Sequence, residues 1–166
     1  MFFPDSFKVS TPSDLEIQVT RDFDAPRRLV FAAFTKPELV RRWLLGPSGW
    51  TMPLCEIDLR VGGLYRYVWR SETDGSQMAM GGVFREVVPS KRLVATEKFD
   101  DAWYAGEAVG TTVFVETRRI TRTMIKVLYE SQEARDTARR SGMEYGMAAG
   151  YDWLEALLPT FIGERT

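Results

Sequence analysis

Hydrophobic and polar residues alternate from residue 15 onward. Leu15, Ile17, Val19 and Arg21 fall on one side, and Glu16, Gln18, Thr20 and Asp22 on the other. A period of two marks a half-buried strand. The spacing then becomes helical. Asp24-Ala25-Pro26 predicts an aspartate cap with proline in the first turn, and Val30, Phe31 and Phe34 form an apolar face. Thr35-Lys36-Pro37-Glu38 reads as a capping box that opens a second short helix. That helix carries Leu39, Val40, Trp43 and Leu44 inward and stops near Gly46-Pro47.

From Trp50 the period returns to two. Cys55, Ile57 and Leu59 alternate with Glu56, Asp58 and Arg60, and Gly62-Gly63 turns the chain. Tyr65, Tyr67 and Trp69 alternate with Arg66, Val68 and Arg70 before a turn at Asp74-Gly75. Gln77 to Val88 predicts a strand with a bulge at Gly81-Gly82. Pro89-Ser90 returns the chain through Arg92 to Phe99, and Asp100 to Gly110 forms a longer connection. Thr111 to Thr117 and Thr121 to Tyr129 make a last hairpin around Arg118-Arg119.

The final stretch, Glu133 to Leu158, predicts one helix of about seven turns, capped by Ser131. Met143, Met147, Leu154 and Leu158 form its apolar stripe. Gly142, Gly146 and Gly150 form a second stripe, at about 1 kcal/mol each against alanine. Close packing or a bend explains that stripe, and so does a helix forming one wall of a cavity. The whole order predicts an α+β fold: an antiparallel meander of about seven strands, curved around the C-terminal helix. Residues 1 to 14 are expected to be a flexible arm, 15 to 158 a single domain, and 159 to 166 a tail.

This order and its local motifs resemble the helix-grip superfamily, which includes START lipid-transfer domains, the birch-pollen allergen group and polyketide cyclases (SRPBCC). Within it the chain resembles the AHSA-type group, homologues of the activator of the heat-shock chaperone ATPase. The resemblance rests on Asp24-Ala25-Pro26 with Leu29-Val30-Phe31, on Thr35-Lys36-Pro37 with Trp43 and Gly46-Pro47, and on Glu56 to Gly63. It continues through Gly82, Glu86 to Leu93, and Gly142-Met143 with Gly146, and covers about residues 15 to 158. It implies a START-like helix-grip domain whose functional volume lies between the sheet's concave face and the long helix. Two departures stand out. The family's last hairpin usually turns on a glycine, whereas Glu116-Thr117-Arg118-Arg119-Ile120-Thr121 holds none. The eukaryotic co-chaperone carries an extra N-terminal domain with a histidine-containing motif, which this chain of 166 residues without histidine does not match. That weighs against true co-chaperone activity and leaves docking by the single domain open.

Composition narrows the chemistry. Hydrophobic residues at 45% suffice for a real core, and 22 basic against 23 acidic residues argue against a nucleic-acid partner. Without histidine the commonest general base and the commonest metal ligand are both missing. No metal and no cofactor is called for. A single cysteine, Cys55, fits a reducing, cytoplasmic setting and is expected to be a small buried apolar group. The N-terminus lacks the basic and apolar regions of a signal peptide, and no apolar run is long enough for a membrane span.

Given that fold, strand parity nominates the residues around the ligand space. Tyr65, Tyr67 and Trp69 are predicted to face inward, with Met78, Met80, Phe84, Phe99, Phe114, Ile125 and Val127 from other strands. Met143, Met147 and Tyr151 would face them from the helix, with Trp43, Trp103 and Tyr104 at the rim. Glu97 shares the inward face with Phe99 and is the candidate for a buried, acid–base carboxyl. Glu56, Asp58 and Glu86 are expected on a solvated or salt-bridged face, with Asp58 and Arg60 as a structural ion pair. Aromatics and methionines at such spacing also make ordinary core. Three readings follow: a module binding a hydrophobic or aromatic small molecule; a protein-interaction domain, chaperone-docking or stress-related; and a cyclase- or hydrolase-like enzyme. The missing histidine and the lack of a clear catalytic set place the enzyme last. A homodimer through a sheet edge or helix has no interface signature in the sequence.

Overall fold

The computed structural model describes residues 6–45, 48–102 and 104–161. Eight strands form one curved antiparallel sheet: β1 Lys8–Ser10, β2 Glu16–Phe23, β3 Trp50–Ile57, β4 Leu64–Ser71, β5 Gln77–Val88, β6 Arg92–Phe99, β7 Ala108–Thr117 and β8 Ile120–Leu128. Their spatial order is β1-β2-β8-β7-β6-β5-β4-β3. The chain therefore lays down one side of the sheet, crosses to the far edge and meanders back until β8 pairs with β2. Helices α1 Arg27–Thr35 and α2 Pro37–Trp43 make that crossing, and α3 Gln132–Arg140 and α4 Met143–Leu157 close the fold.

The eighth strand is the unforeseen one. Lys8–Ser10 pairs with Thr20, Val19 and Gln18, so the expected flexible arm over 1 to 14 contains an edge strand. Past residue 158 the chain makes a 3-10 turn, Leu158–Phe161, whose Phe161 is fully buried beneath the Arg42 guanidinium, 5.6 Å from the ring centre. The expected tail over 159 to 166 thus includes a core residue.

Two of the three expected helix caps are replaced. Pro26, in extended conformation, precedes α1, and the free Arg27 N–H donates to Glu116 Oε1 of β7 at 2.7 Å. A carboxylate from a distant strand does there what Asp24 was expected to do. Thr35 turns its hydroxyl back to the Phe31 carbonyl at 2.8 Å, and α2 starts from Lys36 with Pro37 in its first turn. Ser131 does cap α3, accepting from the Ala134 N–H at 3.0 Å.

The long terminal helix is broken in two. Gly142 has φ of 84°, a left-handed value that ends α3 and opens α4. Gly150 allows close approach: a β-carbon there would sit 3.2 Å from the Trp43 carbonyl oxygen of α2. At these two positions the stripe serves a bend and a tight contact.

The bulge also moves. Gly81 and Gly82 stay in register with Arg66 and Tyr65, and the shift falls between Phe84 and Glu86. Glycine is required at 82 for another reason: a β-carbon would lie 1.8 Å from the Thr96 carbonyl oxygen of β6. The last hairpin is tight, Thr117 pairing with Ile120, and Arg118 and Arg119 hold φ of 53° and 69°. Two such values make a type I′ turn, where the family's glycine would be at ease. The outer face carries the expected Asp58–Arg60 ion pair at 2.9 Å and a Glu86–Arg92 pair at 3.2 Å.

The main core lies between the concave face and the helices. Phe114 of β7 meets Phe31 and Phe34 of α1 edge-on, at 5.3 and 5.4 Å. Tyr151 of α4 packs on Phe23 at 5.4 Å and on Trp43 at 5.9 Å. The Trp43 N–H donates to the Ala33 carbonyl, and the Trp69 N–H to that of Leu44, so α1, α2 and β4 are pinned together. A smaller cluster of Val40, Met52, Cys55 and Trp69 lies under α2, where burial pushes the Cys55 thiol up to about 11. Among the described residues no helix is long and apolar enough to cross a membrane.

Candidate functional site

The core is not filled. Between the sheet's concave face and α1, α2 and α4 lies a cavity of about 170 Å³. Tyr65 and Tyr67 of β4, Met80 and Phe84 of β5, Trp43 of α2, and Met147 and Tyr151 of α4 line it, as does Ile125 of β8. These come from the set that strand parity nominated. Phe34, Leu44, Leu93, Ala95, Gly110 and Thr112 complete the wall. Helical periodicity put Phe34 and Leu44 on inward faces, but no local signal marked the others as neighbours of a void. Their roles depend on how β6, β7 and β8 are registered.

Other nominated residues lie elsewhere. Met78 is 38% exposed, at the start of β5. Trp69 belongs to the smaller cluster, and Phe114 is solid core between α1 and β7. Val127 is buried core, and Phe99 packs between the two clusters. Tyr104 is buried edge-on against Phe99 and Tyr129, at 6.4 and 5.2 Å, rather than at a rim. Met143 sits at the α3–α4 break, its sulfur 3.9 Å from the Tyr129 hydroxyl. Trp103 and Gly46-Pro47 fall outside the described residues.

Glu97 of β6 reaches into the cavity. Its neighbour across the sheet explains how. On β7, Gly110 leaves the space that the carboxyl occupies; a β-carbon at Gly110 would sit 2.1 Å from Glu97 Oε2. The side chain is partly buried by surface area, and it lines the cavity. Burial alone pushes its carboxyl from 4.5 up to about 7. Among the described residues none donates a hydrogen bond to it.

Four tyrosines feel the Glu97 charge: Tyr65, Tyr67, Tyr104 and Tyr129. Desolvation first, and Glu97 among the lesser causes, raises every one of their hydroxyls; that of Tyr104 goes up to about 12. All four therefore stay protonated and neutral. The Tyr65 hydroxyl donates to the Thr96 carbonyl at 2.7 Å, which locks its ring on the cavity wall. A wider, shallower groove of about 410 Å³ runs past Leu64, Gly82 and Lys98, and its Arg66 and Asp100 are already paired at 2.6 Å. Among the described residues no three His, Cys, Asp or Glu side chains cluster as metal ligands would.

A curved antiparallel sheet closed by a C-terminal helix over an aromatic cavity defines a helix-grip protein. The chain belongs to the family described as activator of Hsp90 ATPase homolog 1-like protein, whose model matches residues 24–159. It is similar to a solved Rhodobacter sphaeroides protein at 29% identity and TM-score 0.88, covering 94% of this chain and 99% of that one. A Chromobacterium violaceum protein is 27% identical with TM-score 0.77, covering 88% of this chain and 98% of that one. A Nitrosomonas europaea protein is 25% identical with TM-score 0.78, covering 90% of this chain and 97% of that one. A search of curated proteins finds no match.

Proposed function

We propose that the protein binds a compact hydrophobic or aromatic small molecule in the cavity between the sheet and helices α2 and α4. The observation that carries this is a carboxyl with no hydrogen-bond partner among the described residues, in a largely aromatic and aliphatic hollow. Burying a carboxyl without partners destabilises a fold by several kcal/mol unless it stays protonated. A protein that only needed a core would fill the space with a leucine. Size fits as well: an apolar cavity of about 150 Å³ accepts a benzene ring, and this one measures about 170 Å³. Docking to a chaperone, which the family's name suggests, leaves the cavity and its carboxyl unexplained. A carboxyl that titrates near neutrality also suits acid–base chemistry, but the tyrosines around Glu97 are held neutral and offer no second ionised group.

The test is a thermal-shift screen of single-ring aromatics, indoles and fatty acids against the wild type and Ala95→Leu, which places a larger side chain in the wall. Saturable stabilisation that grows with ligand concentration and vanishes in Ala95→Leu is expected. If no compound stabilises the wild type, or if both proteins respond equally, the reading fails.

A further inference from the structure

We propose that the ligand of this cavity carries a protonated amine, and that its ammonium group pairs with the carboxylate of Glu97 while its ring or chain fills the aromatic space. This deepens the small-molecule reading of the same cavity and rests on it.

Three features select this chemistry. The first is sign: among the described residues the wall contains one group able to carry charge near neutrality, Glu97, and no lysine or arginine. An acidic ligand would meet only repulsion there. The second is vacancy: no described residue hydrogen-bonds the carboxyl, so its oxygens are free to accept from a ligand. The third is the rings beside it. Tyr65 and Tyr67 lie 5.2 Å apart, centre to centre, on the wall that leads to Glu97. Aromatic faces attract cations, the more so when water is excluded. The volume limits the molecule to about ten non-hydrogen atoms, near the size of a single ring with a short arm.

The pairing exchanges one proton. The protonated carboxyl loses its hydrogen to solvent as the ammonium arrives, and charge balances within the pair. The folded protein has already removed the carboxyl from water, so a cation repays a desolvation that the apo cavity leaves uncompensated. Among the described residues no other group near Glu97 competes. Tyr65 and Tyr67 from β4, Tyr104 from the β6–β7 connection and Tyr129 beyond β8 are neutral, and Tyr151 of α4 is also raised by burial. Cys55 beside Tyr67 is a buried thiol, and Glu107, which acts on Tyr65, is exposed outside the cavity. From α1, α2, β7 and β8 the wall presents Phe34, Trp43, Gly110, Thr112 and Ile125, none of which titrates.

The experiment compares benzylamine with benzyl alcohol, alike in shape and different in charge, by isothermal titration calorimetry on the whole protein. The expected result is tighter benzylamine binding at pH 8 than at pH 6 by about tenfold, the change in ionised Glu97 across that range. At pH 6, where Glu97 holds its proton, release of that proton should appear as a buffer-dependent enthalpy, and at pH 8, where the carboxyl is already ionised, the dependence should be small. Benzyl alcohol should bind equally at both pH values. Glu97→Gln should weaken benzylamine by tenfold or more and benzyl alcohol far less; if that variant does not fold, the wild-type pH dependence decides alone. Benzyl alcohol binding as well as or better than benzylamine, or benzylamine binding that ignores pH, overturns the amine assignment and leaves the cavity reading standing. Failure of both ligands, with no response in the wider screen, overturns both.

Discussion

Glu97→Gln separates a functional carboxyl from a structural one. Glutamine keeps the shape and removes the ionisation. In the native protein burial pushes the Glu97 carboxyl from 4.5 to about 7. That displacement corresponds to about 3 kcal/mol between its protonated and ionised forms. The sign follows from which state holds the proton. Below pH 4.5 folded and unfolded chains are both protonated at this residue, and it costs nothing. Between 4.5 and about 7 the unfolded chain has released its proton and the native chain has not, so stability falls as pH rises. Above about 7 both are ionised, and the native state carries the full penalty. Urea unfolding of wild type and Glu97→Gln should therefore be compared from about pH 4.5 to about pH 8.5. The stability difference between variant and wild type is expected to grow by about 3 kcal/mol across that range, in favour of glutamine. Parallel profiles would refute the reasoning, because they would mean that Glu97 is solvated or paired.

Further outcomes at four positions follow from the packing and the backbone. Arg21 is 1% exposed and pairs only through Nη1, with Asp152 at 3.0 Å, while its Nε and Nη2 and the Oε1 of buried Glu155 have no partner among the described residues. Arg21→Ala should cost about 3 kcal/mol by leaving a void where a fully buried side chain stood, whereas Arg21→Met, which refills the volume without unpaired guanidinium nitrogens, should recover most of it in urea unfolding. Gly82→Ala should cost more than about 3 kcal/mol in the same assay, because its β-carbon meets a backbone carbonyl at 1.8 Å. Gly62→Ala, with φ of 84° and open space, should cost only about 1 kcal/mol. Arg119→Gly should raise stability by about 0.5–1 kcal/mol, read as a higher Tm, since the left-handed backbone there suits glycine.

Much of the fold was legible because strands with one buried face must alternate. The parity of Tyr65, Tyr67 and Trp69 could be read directly, and β4 runs without a register shift against β5. Glu97 could be nominated because it shares that logic with Phe99 on β6. What escaped depends on partners distant in sequence. Asp24 is a good local cap, but Glu116 from β7 reaches Arg27 first. Gly81-Gly82 looks like a bulge until the Thr96 carbonyl is seen pressing on residue 82. Lys8–Ser10 becomes a strand only because β2 offers an edge, and Phe161 becomes core only because the turn after α4 brings it beneath Arg42. Periodicity could not distinguish filled core from cavity wall. Phe114 and Tyr67 have equally inward parity, yet one is clamped between two rings of α1 and the other faces empty space. The room made by Gly110 for the Glu97 carboxyl is a property of the β6–β7 register, where Gly110 stands opposite Ala95, and leaves no local mark.

The most direct measurement uses the methionines that divide the molecule. Met80 and Met147 line the cavity, Met52 lies in the separate cluster under α2, and Met78 is exposed. With carbon-13-labelled methionine methyl groups, titration with benzylamine at pH 8 should shift Met80 and Met147 together and saturably, leaving Met52 and Met78 in place. Uniform small shifts at all four, or a response confined to Met78, would show that the cavity is not the binding site.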